Sequence, residues 1–98
     1  MPARTTPAAP DTPVEALWNL SDVTAGWLRE LGIRTHAELA ASDLHIVWSD
    51  LKVRHRQVTK LMFYALWGAV HDVHWNQTPP DVIDAFEAYR TTFAAKRG

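Results

Sequence analysis

The chain has 98 residues, 47% apolar and 21% charged, with five Trp, six Pro and no Cys, which is enough for one domain with one modest core. The missing cysteines exclude disulfide scaffolds, zinc ribbons and cysteine nucleophiles. Ten Lys/Arg against eleven Asp/Glu, a formal charge of −1, exclude a surface that binds polyanions throughout.

Residues 1–13 hold four of the six prolines and nothing periodic, and read as a flexible leader. From Val14 to Phe93 the apolar residues recur at three- and four-residue spacing, with no convincing alternation. This predicts one all-α domain over 14–93, with a basic tail at 94–98. A short first helix over Val14–Trp18 ends at Asn19, and Ser21 or Asp22 caps a second that carries Val23, Trp27, Leu28 and Leu31. Gly32, between Leu31 and Ile33, fits a left-handed carboxyl-terminal cap. Thr35-His36-Ala37-Glu38 has the form of a capping box opening a short third helix. Ser42 or Asp43 caps a fourth, which carries Leu44, Val47, Trp48 and Leu51 to about Arg54.

The fifth helix, about Gln57 to Trp75, is apolar over most of its circumference and belongs at the centre of the fold or at a subunit contact. Gly68 in its interior costs about 1 kcal/mol relative to Ala, which predicts close approach of another helix. Thr78-Pro79 starts a sixth helix with Val82, Ile83, Phe86, Tyr89 and Phe93 inward. Lys96-Arg97 suits a helix carboxyl terminus or a disordered tail.

Leu17-Trp18-Asn19-Leu20, Trp27-Leu28, Leu31-Gly32-Ile33-Arg34-Thr35, Leu39, Leu51-Lys52, Phe63-Tyr64-Ala65-Leu66, Gly68-Ala69 and His74-Trp75-Asn76 stand in a specific order and spacing. Together they resemble the carboxy-terminal domain of the TfoX/Sxy competence regulators, over about Glu15 to Phe86. The resemblance implies a small bundle of five to six helices related to helix-hairpin-helix and SAM-like domains, with a non-enzymatic role in regulating DNA-uptake genes. It also implies that Trp75 closes the core and that His74 or Asn76 bonds the helix end. Full-length members carry a separate amino-terminal domain, so a stand-alone version is the expectation here.

Two places are candidates for binding nucleic acid or a protein partner. In helix-hairpin-helix domains the first turn offers glycine-flanked backbone amides to a phosphate. Here that turn is Leu17 to Asp22 and both glycines are missing. Asn19 tolerates the left-handed conformation, and Ser21 stands where the family pattern has Gly. Asp22 competes with a phosphate for the same amides. A capped interhelical turn explains the stretch as well.

The second place is Lys52, Arg54, Arg56 and Lys60, four cations in nine residues with His55 among them and no carboxylate between Asp50 and Asp72. They suit phosphates or an acidic protein, Arg54 and Arg56 above all because guanidinium groups pair bidentately. A solvated helix junction is the plainer reading.

His71 and His74, three apart beside Asp72, are close enough to share a cation, but no third ligand stands at convincing spacing. No metal or other cofactor is therefore expected. The serines lie in capping or mid-helix positions without a glycine elbow, so neither an enzyme nor a small-molecule substrate is expected. Five Trp crowd one small core. Trp48 and Trp67 lie partly outside the main stripes of their helices, which makes them candidates for a partner or homodimer interface.

The reading as a whole is a regulatory module acting through protein interaction or self-association. The alternative is a DNA-binding regulator using the basic junction and the Asn19–Ser21 turn. No run reaches the roughly 18–20 apolar residues of a membrane span and no signal pattern opens the chain, so a cytoplasmic protein with no membrane partner is expected.

Overall fold

A computed structural model describes residues 8–97, with side chains up to residue 95. In chain order there is a 3₁₀ turn at Val14–Ala16, then α1 (Asp22–Glu30), α2 (His36–Ala40), α3 (Leu44–Arg54), α4 (Lys60–His71), a second 3₁₀ turn at Trp75–Gln77, and α5 (Pro80–Arg97). The described residues form no sheet, and Pro13 and Thr35 make an isolated bridge. The architecture is all-α, as the periodicity predicts.

The helix ends follow local chemistry closely. Ser21 caps α1: its Oγ accepts from the Thr24 amide at 3.3 Å while Thr24 Oγ1 accepts from the Ser21 amide at 2.8 Å. Gly32 sits at φ +82°, and the Ile33 amide returns to the Leu28 carbonyl at 3.0 Å. Ile33 and Leu28, both buried, close over that last turn. Thr35 and Glu38 form the predicted capping box of α2. Asp43 rather than Ser42 caps α3, through the amides of His45 and Ile46.

Three expectations are corrected. The first predicted helix is only one 3₁₀ turn, because Leu17 is already extended, with φ −84° and ψ 158°. The predicted fifth helix is shorter at both ends and is α4: Thr59 caps its start, and Asp72 at φ 62° ends it, sending the Val73 amide back to Gly68. Val73 and Trp75 continue the apolar pattern beyond a turn that periodicity cannot see, and Trp75 is 39% exposed instead of closing the core.

Of the expected leader over residues 1–13, residues 8–13 are described. Residues 8–13 are tied to the fold: the His36 and Ala37 amides donate to the carbonyls of Thr12 and Pro10, and Val14 donates to Arg34. The orphan donors of the first turn of α2 are thereby satisfied. Residues 1–7 of the predicted leader lie outside the described residues. Most of the predicted basic tail is the end of α5, with Gly98 outside the described residues.

The core centres on Phe86 of α5, fully buried, which stacks on Phe63 at 4.1 Å and meets Trp48 at 5.1 Å and Tyr64 at 5.9 Å edge-on. These contacts join α5 to both α3 and α4. Around them Leu28, Leu39, Leu51 and Leu66 are also fully buried.

Candidate functional site

The hairpin turn and the basic junction lie differently from one another. In the turn, Asn19 takes φ 68°, as its residue type allows, but its side chain is consumed internally. Its Nδ2 donates to the carbonyls of Val73 at 3.0 Å and Ala65 at 3.4 Å, and its Oδ1 accepts from the Trp75 amide at 3.1 Å. Ser21 is likewise committed to its capping box. Asn19 therefore ties the turn to the end of α4.

That tie also explains Gly68, where a Cβ would lie 2.5 Å from Asn19 Nδ2 and 2.6 Å from the Val73 carbonyl oxygen. The close approach predicted at Gly68 is real. It comes from a side chain and a turn, not from another helix.

The basic residues divide as well. Lys52 bends back to donate its Nζ to the carbonyls of Arg56 at 2.9 Å and Val58 at 2.7 Å, capping the α3–α4 connection. His55 stacks on Trp27 at 4.2 Å and reaches Glu30 at 3.2 Å, fixing the other side of that connection to α1. The side chains of Arg54, Arg56 and Lys60 are exposed and make no hydrogen bond or ion pair to described residues.

Of the predicted cations, Lys52, Arg56 and Lys60 line one open groove of about 1100 Å³ between this junction and the second half of α5, whereas Arg54 is not among its lining residues. Arg90 completes the set from α5, and none of the lining residues is acidic. Sequence reasoning missed Arg90, which lies 30 positions from Lys60; its only signal is its place one turn before Phe93 on an amphipathic helix.

Trp48 does not fit the exposed patch expected of it. It is 3% exposed, donates its indole N–H to the Thr59 carbonyl at 3.0 Å, and meets Phe93 edge-on at 5.5 Å. The reason is that α5 covers the flank of α3 that the stripe of a lone helix leaves open. Trp67 is half-buried, with His71 stacked on it at 3.9 Å. It lines a shallow depression with Phe63, Val82 and the carboxylates of Asp43 and Asp81. His74 uses Nδ1 to accept from the Asn76 amide. Among the described residues, no three His, Asp or Glu converge as metal ligands.

Beside the groove, Glu87 takes both Nε and Nη2 of Arg90, at 3.1 and 2.6 Å, and accepts from the Tyr64 hydroxyl at 3.3 Å. The Arg90 hydrogen bond holds the Glu87 carboxyl below its ordinary 4.5. Burial, reinforced by the charge of Glu87, pushes the Tyr64 phenol above its ordinary 10.0.

Stability therefore depends on pH at both limits. The Glu87 contribution is present above pH 4.5 and is lost as pH falls through the depressed folded value. The Tyr64 contribution is present below pH 10.0 and is lost as pH rises through the raised one. Urea midpoints across pH should show Glu87→Gln flattening the acid limb and Tyr64→Phe the alkaline limb. Limbs unchanged in those variants would assign the dependence to other groups.

These elements define a small all-α domain in which the turn before α1 is tied to the end of α4 and a cation-lined groove lies between the α3–α4 junction and α5. Residues 11–86 match the TfoX C-terminal domain family, and the chain belongs to that family. Its fold is similar to the solved structure, in a triclinic crystal form, of an uncharacterized protein from Listeria monocytogenes. The TM-score is 0.71 at 21% identity, covering 89% of this chain and 96% of that one. No curated protein matches. Among the described residues, no helix is long and apolar enough to cross a membrane.

Proposed function

We propose that this chain is a non-enzymatic regulatory module of the cytoplasm, serving the competence setting of its family by binding a protein partner through the groove beside α5. One observation carries this reading: three cations of the junction, joined by Arg90, line a single concavity that no carboxylate lines. Duplex DNA is read by elements that protrude into its grooves, and a concave cationic surface favours a protruding protein segment instead. Asn19 and Ser21, the side chains that would adapt the hairpin turn to a phosphate, are spent on internal hydrogen bonds. Catalysis gains no support from groups whose hydrogen bonds serve helix ends.

The alternative, a DNA-binding regulator, draws on the exposure of Arg54, Arg56 and Lys60. Titrating labelled duplex DNA at about 50 and 200 mM salt separates the two. The expected result is no saturable binding. Salt-sensitive binding that is lost in Arg54→Glu/Arg56→Glu would replace the protein-partner reading with the DNA one. A photo-crosslinking amino acid at Val53 should capture a protein in the native host. Once identified and purified, that protein should bind the wild type and not Arg56→Glu/Lys60→Glu.

A further inference from the structure

We propose that the groove receives an acidic amphipathic helix of the partner, an inference that rests on the protein-partner reading above. The first ground is charge. Lys52, Arg56, Lys60 and Arg90 approach one concavity from two elements distant in sequence, and no carboxylate lines it. A segment carrying Asp or Glu is complementary to that field. Arg90 is already paired with Glu87 and Lys52 with two backbone carbonyls, so Arg56 and Lys60 offer the uncommitted donors.

The second ground is apolar surface: Phe93, half-buried, and Val53, 51% exposed, line the groove together with the cations, while Trp48 and Val58 behind them are buried. A ligand of phosphates alone would leave these carbons in water, whereas a helix with an apolar stripe between carboxylates covers both chemistries at once. The described residues offer no strand edge along the groove for an extended peptide to pair with. A helix, about 10–12 Å across with its side chains, satisfies its own backbone.

Single-stranded nucleic acid fits less well. Such ligands stack on open aromatic faces, and Trp48 is 3% exposed and held by ring contacts to Phe86 and Phe93.

The test titrates the full chain with a synthetic helix-forming peptide of about 15 residues, with Leu at helical spacing flanked by Glu. A scrambled peptide of the same composition and a single-stranded oligonucleotide of equal charge serve as comparisons. Binding is followed by anisotropy and by amide chemical shifts. The amphipathic peptide should saturate, shift the Val53 and Phe93 resonances, and weaken by roughly tenfold or more in Arg56→Glu/Lys60→Glu. Val53→Asp, an exposed change that leaves the circular dichroism intact, should weaken it too. Val23→Asp, on α1, should leave affinity unchanged.

Equal binding of the scrambled peptide, tighter binding of the oligonucleotide, or a dimer in sedimentation that buries Val53 would each overturn the proposal. A partner crosslinked at Val53 that docks through a non-acidic or non-helical segment would overturn it while leaving the protein-partner reading intact. A partner that crosslinks only elsewhere on the chain would remove both.

Discussion

Gly68→Ala should destabilise the domain by roughly 1–3 kcal/mol, the range for overpacking a filled site, although alanine is the better helix former by about 1 kcal/mol. The new methyl would stand 2.5 Å from Asn19 Nδ2 and 2.6 Å from the Val73 carbonyl oxygen. The second neighbour is backbone and cannot swing aside. Relief therefore requires moving the turn after α4, which stretches the hydrogen bonds from Asn19 to Val73 and from Trp75 to Asn19. At roughly 4–8 °C per kcal/mol for a domain near this size, thermal melts should show the loss plainly.

Gly26→Ala is the matched control, because its Cβ would meet only the tip of Arg29 at 3.9 Å. That change should stabilise by about 0.5–1 kcal/mol. Asn19→Gly removes one of the two close neighbours, so it should cost less in the Gly68→Ala background than in the wild type. A Gly68→Ala protein as stable as the wild type would mean that the turn accommodates the methyl and that Asn19 is not a fixed tie.

Phe86→Ala should cost roughly 3–5 kcal/mol, a large share of the 5–15 kcal/mol that typically holds a domain folded. Phe86 is 0% exposed and touches the rings of Phe63, Trp48 and Tyr64 from one position. Its loss leaves a cavity where α5 meets α3 and α4, and backbone pinned by helix caps closes such a space poorly. The groove should suffer with it, since Arg90 and Phe93 ride on the same helix. Urea denaturation gives the energy, and binding of the acidic helical peptide gives the functional loss. Phe86→Leu keeps most of the volume and should lose much less; equal losses in the two variants would show that the ring contacts, rather than the cavity, set the cost.

What was legible in the sequence was mostly local. Ser21, Gly32, Thr35 with Glu38, and Asp43 act through neighbours within a few positions, so residue type and spacing reveal them. The end of α4 was hidden because Asp72 in the left-handed region is not a glycine, and apolar Val73 and Trp75 prolong the periodic pattern past it. Trp48 is illegible for a different reason: its burial depends on α5, which the stripe of α3 alone does not register. Of the site, the junction cations were visible as a run, but Arg90 joins them only through the crossing of α5. Asn19 was visible as a residue fit for a left-handed turn, and its bonds to Val73 and Trp75 belong to tertiary structure alone.

Those bonds also bear on how the chain reaches its fold. Asn19 meets Val73 across 54 positions and Trp75 across 56, and the amide of Ala8 donates to Asp72 across 64. A helical domain stitched mainly by neighbouring helices closes short loops and folds fast. Here the first turn is completed only when the end of α4 arrives, so loop-closure entropy is spent before these contacts reward it. A ribosome must then release the chain past Trp75 before the hairpin turn acquires its final partners, and a fragment cut after α3 would retain capped helices without the ties from Asn19 to Val73 and Trp75.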